Sequence, residues 1–399
     1  MHRPPSAGVY PRGLSLRKGG HCDFIATEQG HSRIALHFPR DPGWDKLCHN
    51  VAVLRVFSLN TPATDPSGTP NLESIRDAYR RISRHIERTP VMISDALDEL
   101  AGAMLYFKCE NLQLSGSFKI RGAANAVFSL SEAEAARGVV THSSGNHGAA
   151  LALAAKLRGI RAWIVVPHNA PKVKVRAIEA YGGEIIFCEP TLEAREGTAA
   201  EVLRQSGAVL VHPFDDDRVI AGQGTAALEL LEEIPDLDMI CAPVSGGGLL
   251  SGTAIAAKSL RPELSVIGCE PANADDAARS LASGEIEPAG VFTTIADGLR
   301  ATLAPRTFAI LRERVDQIAL VSETEIVQSM QLIAERLRCR VEPSGAVAAS
   351  PALHRQLGAE GLRIGIILSG GNVDPEAIPA QPGHDLTQRK PMPREESEW

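Results

Sequence analysis

The sequence lacks long apolar runs, an excess of basic residues and closely spaced cysteines. No stretch approaches the roughly 18 uncharged apolar residues of a membrane-spanning helix, so no membrane span is expected. Its 41 Lys and Arg residues are outnumbered by 48 Asp and Glu, for a net charge of −7. Nucleic-acid binding, which needs a basic face, is therefore not expected. The seven cysteines are scattered without a CxxC pair, which predicts reduced thiols in the cytoplasm rather than disulfides or a zinc site.

The two ends of the chain differ from its middle. Residues 1–70 are rich in Pro, Arg, Gly and His and lack helical or strand periodicity, which predicts a disordered extension. Residues 375–399 are polar and contain several prolines, which predicts a tail. Between them, short strands alternate with helices of about 10–15 residues, including one predicted over Asn125–Arg137, and this pattern indicates βαβ units. The 399 residues are expected to form an α/β protein with largely parallel sheets.

A lysine in a turn of small residues is the first candidate for chemistry. Lys119 lies in Ser-Gly-Ser-Phe-Lys-Ile-Arg-Gly, between a predicted strand and a helix. An amine desolvated in such a turn has a lowered pKa and can form a Schiff base with a carbonyl compound. The alternative is a helix start capped by Ser117 with a solvent-facing lysine, and this segment taken alone favours that alternative.

A polar run, Thr141-His-Ser-Ser-Gly-Asn-His-Gly148, follows a predicted strand and precedes a helix. Ligands bind at such carboxyl ends of strands in open α/β sheets. The hydroxyls, the amide and the free helix N–H groups suit a carboxylate. A turn with an N-cap is an equally good explanation.

A glycine run, Ser245-Gly-Gly-Gly-Leu249, follows the predicted strand Met239–Val244 and opens a helix. Its backbone N–H groups can cradle a phosphate. The run also nearly matches the dinucleotide fingerprint, with Glu270 as the ribose ligand, so an NAD-dependent oxidoreductase is the runner-up. Against that alternative, Ser251 stands where the third glycine belongs, and Lys119 would have no role.

Two further turns end predicted strands. Ser369, in Leu-Ser-Gly-Gly-Asn, offers a hydroxyl to a ligand ring. Glu270 and Asp276 lie on one loop and could hold a hard divalent cation such as Mg²⁺, Mn²⁺ or Ca²⁺, although a solvated loop is the more common explanation. Taken together, one reactive lysine, one phosphate cradle and one carboxylate cup are what a pyridoxal phosphate enzyme needs.

These motifs resemble the signature of fold-type II pyridoxal phosphate enzymes, the tryptophan synthase β-like class. Within that class the chain is similar to the serine racemase and serine/threonine dehydratase group, from Asn71 to Asp374. The resemblance implies an α/β fold of two domains with parallel-type sheets and the cofactor in the cleft. The large domain would comprise residues 71–137 and 215–374, and the small domain residues 138–214.

The resemblance also implies roles for individual residues. Lys119 and Ser144 would be the catalytic residues, one on each face of the substrate. The residues that would hold pyridoxal 5'-phosphate are Phe118, Lys119, Asn146, Ser245, Gly246, Gly247, Gly248, Leu249 and Ser369. The residues that would receive the substrate are Ser143, Ser144, Asn146, His147 and Arg195. The ligands of a divalent cation would be Glu270, the Ala274 carbonyl and Asp276.

The expected main reaction is β-elimination of L-threonine or L-serine to a 2-oxo acid and ammonia. Racemisation of serine, or dehydration of hydroxyaspartate, is the near alternative. Animal racemases of the group carry a serine pair where this chain has Ala301 and Thr302, so elimination is placed first. A non-catalytic amino-acid sensor is a more distant alternative. The resemblance also suggests a homodimer.

Overall fold

The computed structural model describes residues 69–143, 145–170, 172–288, 290 and 293–373. The predicted extension up to residue 68, the predicted tail from residue 375, and Ser144 lie outside the described residues. All described residues belong to one compact unit. The division of this unit into a large and a small domain remains a prediction.

The described part of the chain forms fourteen α-helices and ten β-strands. The helices are α1 (Leu72–Ile82), α2 (Asp95–Ala101), α3 (Lys119–Phe128), α4 (Glu132–Ala135), α5 (Asn146–Arg158), α6 (Lys172–Ala180), α7 (Leu192–Ser206), α8 (Asp217–Glu233), α9 (Gly248–Leu260), α10 (Asp276–Ser283), α11 (Pro305–Arg314), α12 (Glu323–Arg336), α13 (Pro343–Ala346) and α14 (Ser350–Leu353). The strands are β1 (Val91–Met92), β2 (Met104–Lys108), β3 (Val139–His142), β4 (Ala162–Pro167), β5 (Glu184–Cys188), β6 (Val209–Leu210), β7 (Met239–Pro243), β8 (Ser265–Pro271), β9 (Gln317–Val321) and β10 (Arg363–Ile367).

The strands form two sheets, which confirms the predicted fold class. A six-stranded sheet has the order β1-β2-β10-β7-β8-β9, and a four-stranded sheet has the order β5-β4-β3-β6. All strand pairs are parallel except β1 with β2. The four-stranded sheet lies within one continuous stretch of the chain, whereas the six-stranded sheet takes strands from both sides of that stretch.

Both sheets are covered by helices on their two faces. Along β7, Ile240 and Ala242 belong to one apolar cluster and Cys241 to another, because successive side chains of a strand point to opposite faces. Val139 and Val140 on β3 divide in the same way between two further clusters. Strands buried on both faces read as continuous apolar runs, which is why β7 and β4 are recognisable in the sequence.

Helices α3 and α8 show how the structure differs from expectation. The helix predicted over Asn125–Arg137 is instead α3, which begins at Lys119, followed by the short α4. The break arises at Ser131, whose side chain and that of Glu134 form a capping box that starts the new helix. The long helix α8 was not predicted at all. It is buried along nearly its whole length, so it lacks the polar face that produces a helical pattern.

No helix in the described ranges is long and apolar enough to cross a membrane. The five described cysteines, Cys109, Cys188, Cys241, Cys269 and Cys339, form no disulfide.

Candidate active site

The carboxyl edge of the six-stranded sheet gathers most of the predicted site. Because β7, β8 and β10 are parallel, their carboxyl ends bring Gly246, Glu270 and Ser369 to the same edge. Gly246 and Ser369 follow β7 and β10, and Glu270 is near the end of β8. Ser369 is 3% exposed, and its Oγ lies 3.5 Å from the Ser344 carbonyl oxygen. The Phe118 N–H donates to the Ser369 carbonyl at 3.0 Å. This bond places the lysine turn beside the Ser369 turn.

Lys119 is the first residue of α3 and is partly enclosed. Its Nζ donates to the Pro213 carbonyl at 3.0 Å and lies 5.0 Å from the centroid of the Phe118 ring. Desolvation lowers the pKa of this amine to about 8, because a charged ammonium loses hydration there. The alternative of a helix capped by Ser117 differs from the structure, since Phe118 is the N-cap and the Ser117 hydroxyl is buried without a partner.

The glycine turn leads into the N-terminus of α9. Gly247 has φ +88°, and a Cβ atom there would lie 2.8 Å from the Thr307 Cβ. A Cβ on Gly246 would lie 2.4 Å from the Phe214 ring, so neither position admits a side chain. The first turn of α9 contains no acidic residue, and its N–H groups have no partners within the helix. This end of α9 therefore suits an anion such as phosphate.

Hydrogen bonds from a neighbouring segment of the chain hold the glycine turn in place. The Ser245 Oγ accepts a hydrogen bond from the Ala301 N–H at 3.1 Å. The Thr307 Oγ1 donates to the Gly246 carbonyl at 2.8 Å. Leu249 is buried in the core beneath the turn, so the turn rests on well-packed structure.

Asn146 is the first residue of α5, after strand β3 of the four-stranded sheet. Its Nδ2 donates to the Glu342 Oε1 at 2.7 Å, and its Oδ1 accepts from the Asn372 Nδ2 at 3.0 Å. Asn372 also donates to the Ser115 carbonyl, in the lysine turn, at 2.7 Å. The four-stranded sheet therefore meets the lysine turn through Asn146, and neither Glu342 nor Asn372 was identified from the sequence.

The other residues predicted to receive substrate are less closely assembled. The His147 Nε2 lies 3.1 Å from the Val211 carbonyl, and burial together with the nearby Lys119 charge holds the pKa of this ring well below its usual range. The Ser143 Oγ accepts from the Gly145 N–H at 3.4 Å. Arg195, on α7, donates to the Thr191 carbonyl at 3.3 Å. Among the described residues, Arg195 contacts no other predicted site residue by a hydrogen bond or ion pair.

Glu270 and Asp276 lie at the N-terminus of α10 and are almost fully buried. The Glu270 carboxylate accepts from the N–H groups of Ala277 at 3.2 Å and Ala278 at 3.0 Å. None of the described residues forms a hydrogen bond with the Asp276 Oδ2. Burial raises the pKa of Glu270 to about 8, with a further contribution from the Asp276 charge, and burial raises the pKa of Asp276 to about 6. The described residues contain no group of three or more His, Cys, Asp or Glu side chains arranged around a metal.

A buried ionic network at the start of α3 was missed by the sequence analysis. The Arg121 guanidinium donates to the Glu110 carboxylate at 2.7 and 2.8 Å and to the Glu229 carboxylate at 2.9 and 2.8 Å. The Lys108 Nζ donates to Glu229 at 2.7 Å. All four side chains are 0–1% exposed. Glu229 lies more than a hundred residues along the chain from Arg121 and Lys108, so its pairing with them gives no local signal in the sequence.

An α/β fold with an enclosed amine of lowered pKa, and with a helix end that suits an anion at the same edge of the sheet, is typical of enzymes that hold a phosphorylated carbonyl compound on lysine. Comparison with known families agrees. The family described as "Pyridoxal-phosphate dependent enzyme" matches residues 82–370. The chain belongs to this family, whose cofactor is pyridoxal 5'-phosphate, and the NAD-dependent alternative has no support.

Individual proteins and solved structures that are similar to this chain indicate which members of the family it resembles. The chain is 50% identical to "Serine racemase" of Dictyostelium discoideum, over 79% of this chain and 98% of that protein. It is 47% identical to "beta-hydroxyaspartate dehydratase" of Paracoccus denitrificans, over 78% of this chain and 98% of that protein. The solved structure of maize serine racemase matches with a TM-score of 0.76 and 48% identity, over 77% of this chain and 95% of that one.

Proposed function

We propose that the protein is a pyridoxal phosphate-dependent amino-acid racemase that also catalyses β-elimination of small hydroxy amino acids, with serine as its main substrate. The observation that carries the proposal is Lys119, an amine with a pKa of about 8 and no acidic partner. It lies beside the Ser369 turn, on the same sheet edge as the free N-terminus of α9. The described residues thus fit both the carbonyl and the phosphate of the cofactor.

The proposal makes racemisation the main reaction, whereas the expectation based on Ala301 and Thr302 placed elimination first. The relatives at 50% identity are named serine racemases, and a hydroxyaspartate dehydratase follows at 47%. These names support the racemase alternative better than threonine dehydration. In the structure, the Ala301 N–H holds Ser245, and this contact does not depend on the side chain at position 301.

The chain's own groups account for proton transfer on one face of the substrate. Pyridoxal phosphate, when bound, withdraws electrons from the amino acid and acidifies the hydrogen on its α-carbon. The Lys119 Nζ, with a pKa near the working pH, can accept that proton and return it. The Phe118 ring beside Nζ and the Pro213 carbonyl fix the position of the amine. Ser369, Asn146 and the α9 amides are proposed to hold the cofactor.

Racemisation needs an acid or base on the opposite face as well. We assign that role to Ser144, which lies outside the described residues. Ser143, Asn146 and His147 are proposed to receive the substrate carboxylate, with Arg195 reaching the rest of the substrate. Elimination from the L-isomer needs only the Lys119 face, so the two reactions depend on Ser144 to different extents.

The test of the cofactor site is Lys119→Ala. We expect the purified variant to lose the visible absorption band of the protein-bound cofactor and all racemisation and elimination. The matched control is Lys156→Ala, on the exposed face of α5, which should keep both. Turnover of L-serine by the Lys119 variant would overturn the assignment.

The test of the reaction order is a side-by-side measurement of D-serine by chiral chromatography and of 2-oxo acids by a coupled assay. L-serine, L-threonine and 3-hydroxyaspartate are supplied separately. We expect D-serine to form faster than pyruvate. Ser144→Ala should abolish D-serine formation and retain much of the elimination. Faster release of 2-oxo acid than of D-serine by the wild type would restore the dehydratase assignment.

We also propose that Glu270, Asp276 and the Ala274 carbonyl hold Mg²⁺, Mn²⁺ or Ca²⁺. The proposal is supported by two buried carboxyls with raised pKa values and by the unpartnered Asp276 Oδ2. Hard cations take such oxygen ligands and complete their shell with water. Chelation should lower the melting temperature and one of these ions should restore it, whereas identical melting curves would remove the proposal.

A cytoplasmic homodimer with a small domain over residues 138–214 completes the proposal. The five cysteines in the described part of the chain are free and fit a reducing compartment. The four-stranded sheet lies inside those boundaries. Light scattering of the purified protein tests the dimer, fractionation of the source cells tests the compartment, and limited proteolysis tests the domain boundaries.

A further inference from the structure

Asn146 belongs to a chain of hydrogen bonds that we call the amide frame, formed by Ser115, Asn372, Asn146 and Glu342. The Asn372 Nδ2 donates to the Ser115 carbonyl at 2.7 Å and to the Asn146 Oδ1 at 3.0 Å. The Asn146 Nδ2 donates to the Glu342 Oε1 at 2.7 Å. Glu342 is 4% exposed. A nearly buried carboxyl group thus ends the frame.

The chemistry of the partners sets the direction of every bond in the amide frame. A backbone carbonyl only accepts, so the Ser115 oxygen must face the nitrogen of the Asn372 amide. That nitrogen then meets the oxygen of Asn146, which leaves the Asn146 nitrogen facing Glu342. An amide nitrogen carries two N–H groups, so one remains after the bond to Glu342 is made.

The backbone around the frame is shaped to admit it. Ser115 has φ +56° and Gly116 has φ +70°, the left-handed region that non-glycine residues rarely adopt. A Cβ on Gly116 would lie 2.1 Å from the Asn372 Oδ1, and a Cβ on Gly370 would lie 2.2 Å from the Glu342 Oε1. The Glu342 N–H also donates to the Gly370 carbonyl at 2.9 Å. The frame is therefore packed against both the lysine turn and the Ser369 turn.

We propose that Glu342 is a positioning residue, whose carboxyl oxygen holds the Asn146 amide in the one orientation that leaves an N–H free for the cofactor ring. This inference rests on the proposed cofactor role of Asn146. Burying a carboxyl group costs free energy. Burial and the Asp297 charge raise the pKa of Glu342 to about 7, against the opposing effects of Lys174 and Asn146. The group that matters is the acceptor oxygen, because an unrestrained amide can turn its oxygen toward the ligand.

The experiment compares holoenzyme variants that separate the acceptor from the charge. Glu342→Gln keeps an acceptor oxygen, whereas Glu342→Met keeps the side-chain length but removes the acceptor oxygen. The control is Glu335→Met, on the exposed side of α12. Each protein is dialysed to equilibrium against a series of pyridoxal phosphate concentrations, and the bound cofactor is measured by absorbance. We expect about tenfold weaker cofactor binding for Met, the size of one lost hydrogen bond. The Gln and control variants should stay within about threefold of the wild type.

A double-mutant cycle tests whether Glu342 acts through Asn146. Asn146→Ala alone should weaken cofactor binding by about tenfold. The double variant with Glu342→Met should be no weaker than the single variants, because residues acting through one contact are not additive. Asn372→Ala, at an exposed position, should reproduce the loss even if Glu342→Met folds poorly, and melting curves at saturating cofactor report folding.

Each contrary result has a defined meaning. Additive losses of cofactor affinity in the double variant overturn the positioning role of Glu342. Equal losses of affinity in Glu342→Gln and Glu342→Met overturn it as well. If Asn146→Ala weakens cofactor binding but Glu342→Met and Asn372→Ala do not, the positioning role is also overturned, while the cofactor role of Asn146 survives. Unchanged cofactor affinity in Asn146→Ala overturns the cofactor role and this inference together.

Discussion

The ionic network at the start of α3 and the groups around the candidate active site both contain buried charge, but they balance it differently. In the network, two cations and two carboxylates pair with one another and every charge has a partner of opposite sign. Around the site, Lys119, Glu342, Glu270 and Asp276 form no ion pair with any described residue. Lys119 is met by a carbonyl, Glu342 by an amide and Glu270 by N–H groups, and no described residue forms a hydrogen bond with the Asp276 Oδ2.

The difference separates structural charge from charge available to ligands. Hydrogen bonds from Arg121, and the charges of Arg121 and Lys108, hold the pKa of Glu229 below its usual value although burial alone would raise it. For Lys119, Glu270, Asp276 and Glu342, desolvation moves the pKa toward the neutral form, down for the amine and up for the carboxyls. Unbalanced groups of this kind cluster at functional sites, and the cofactor, the substrate and a cation are the partners proposed for them.

The largest effect should come from breaking the balanced network. Arg121→Met leaves Glu110 and Glu229 buried, with Lys108 as the remaining cation, and should cost about 3–5 kcal/mol of unfolding free energy. Urea denaturation measures it. The control is Arg80→Met, which removes an exposed ion pair with Glu73 and should cost under about 1 kcal/mol. Equal losses of unfolding free energy in the two variants would contradict the distinction between the buried network and an exposed ion pair.

A bound cation should supply the positively charged partner that Glu270 and Asp276 lack. Adding Mg²⁺ at about 100 times its dissociation constant to chelated protein should raise the unfolding free energy by about 3 kcal/mol. Glu270→Gln should remove this response, because one of the two carboxylates is lost, while the remaining amide oxygen can still accept from one of the two α10 N–H groups. The measurement is a thermal melt with and without the ion, and a response that persists in the variant would place the ion elsewhere.

The pH dependence of stability should distinguish Glu342 from its neutral isostere. The folded pKa of about 7 lies above the value of an unfolded glutamate, so the folded state retains a proton as pH rises from 4.5 to 7. Wild-type stability should therefore fall relative to Glu342→Gln over that interval, by about 3 kcal/mol, and level off above it. Urea titrations at pH 5, 6, 7 and 8 give the difference, and parallel curves would show that Glu342 does not titrate in this way.

Lys119 should show the smallest effect on stability and a clear effect on reactivity. An amine with a pKa of about 8 is about half neutral at pH 8, against under about 1% for an ordinary lysine. Its modification by a lysine-directed acylating reagent, before cofactor is added, should rise through pH 8 and then level off. Peptide mass spectrometry, with Lys156 as the internal control, follows both sites. A rise at the same pH for both lysines would remove the claim of a desolvated amine.

The sequence predicted well those elements whose signal is local. The strand predicted over Met239–Val244 is observed as β7, Met239–Pro243, and a helix opens after the glycine turn as expected. The glycine turn before α9 was recognisable because a turn that excludes side chains and opens a helix has few alternatives. The family assignment from those motifs is confirmed.

Prediction failed where the signal is long-range. Helix α8 hides its period because it is buried along nearly its whole length. The capping box at Ser131 divided a predicted helix in two. Glu342 follows Asn146 by 196 residues, and no spacing rule connects them. The roles of the individual site residues remain predictions, to be decided by the variants described above.

The class of protein follows from the sequence alone: a parallel α/β fold with one lysine turn, one glycine turn that suits a phosphate and one serine turn. These features are local, because strand periodicity, glycine turns and caps are set by neighbours along the chain. Only the tertiary structure decided which charges are balanced and which are not, since Arg121 meets Glu229 and Asn146 meets Glu342 across more than a hundred residues. Desolvation, and with it the pKa of Lys119, depends on what packs around a group, and packing exists only in the folded chain.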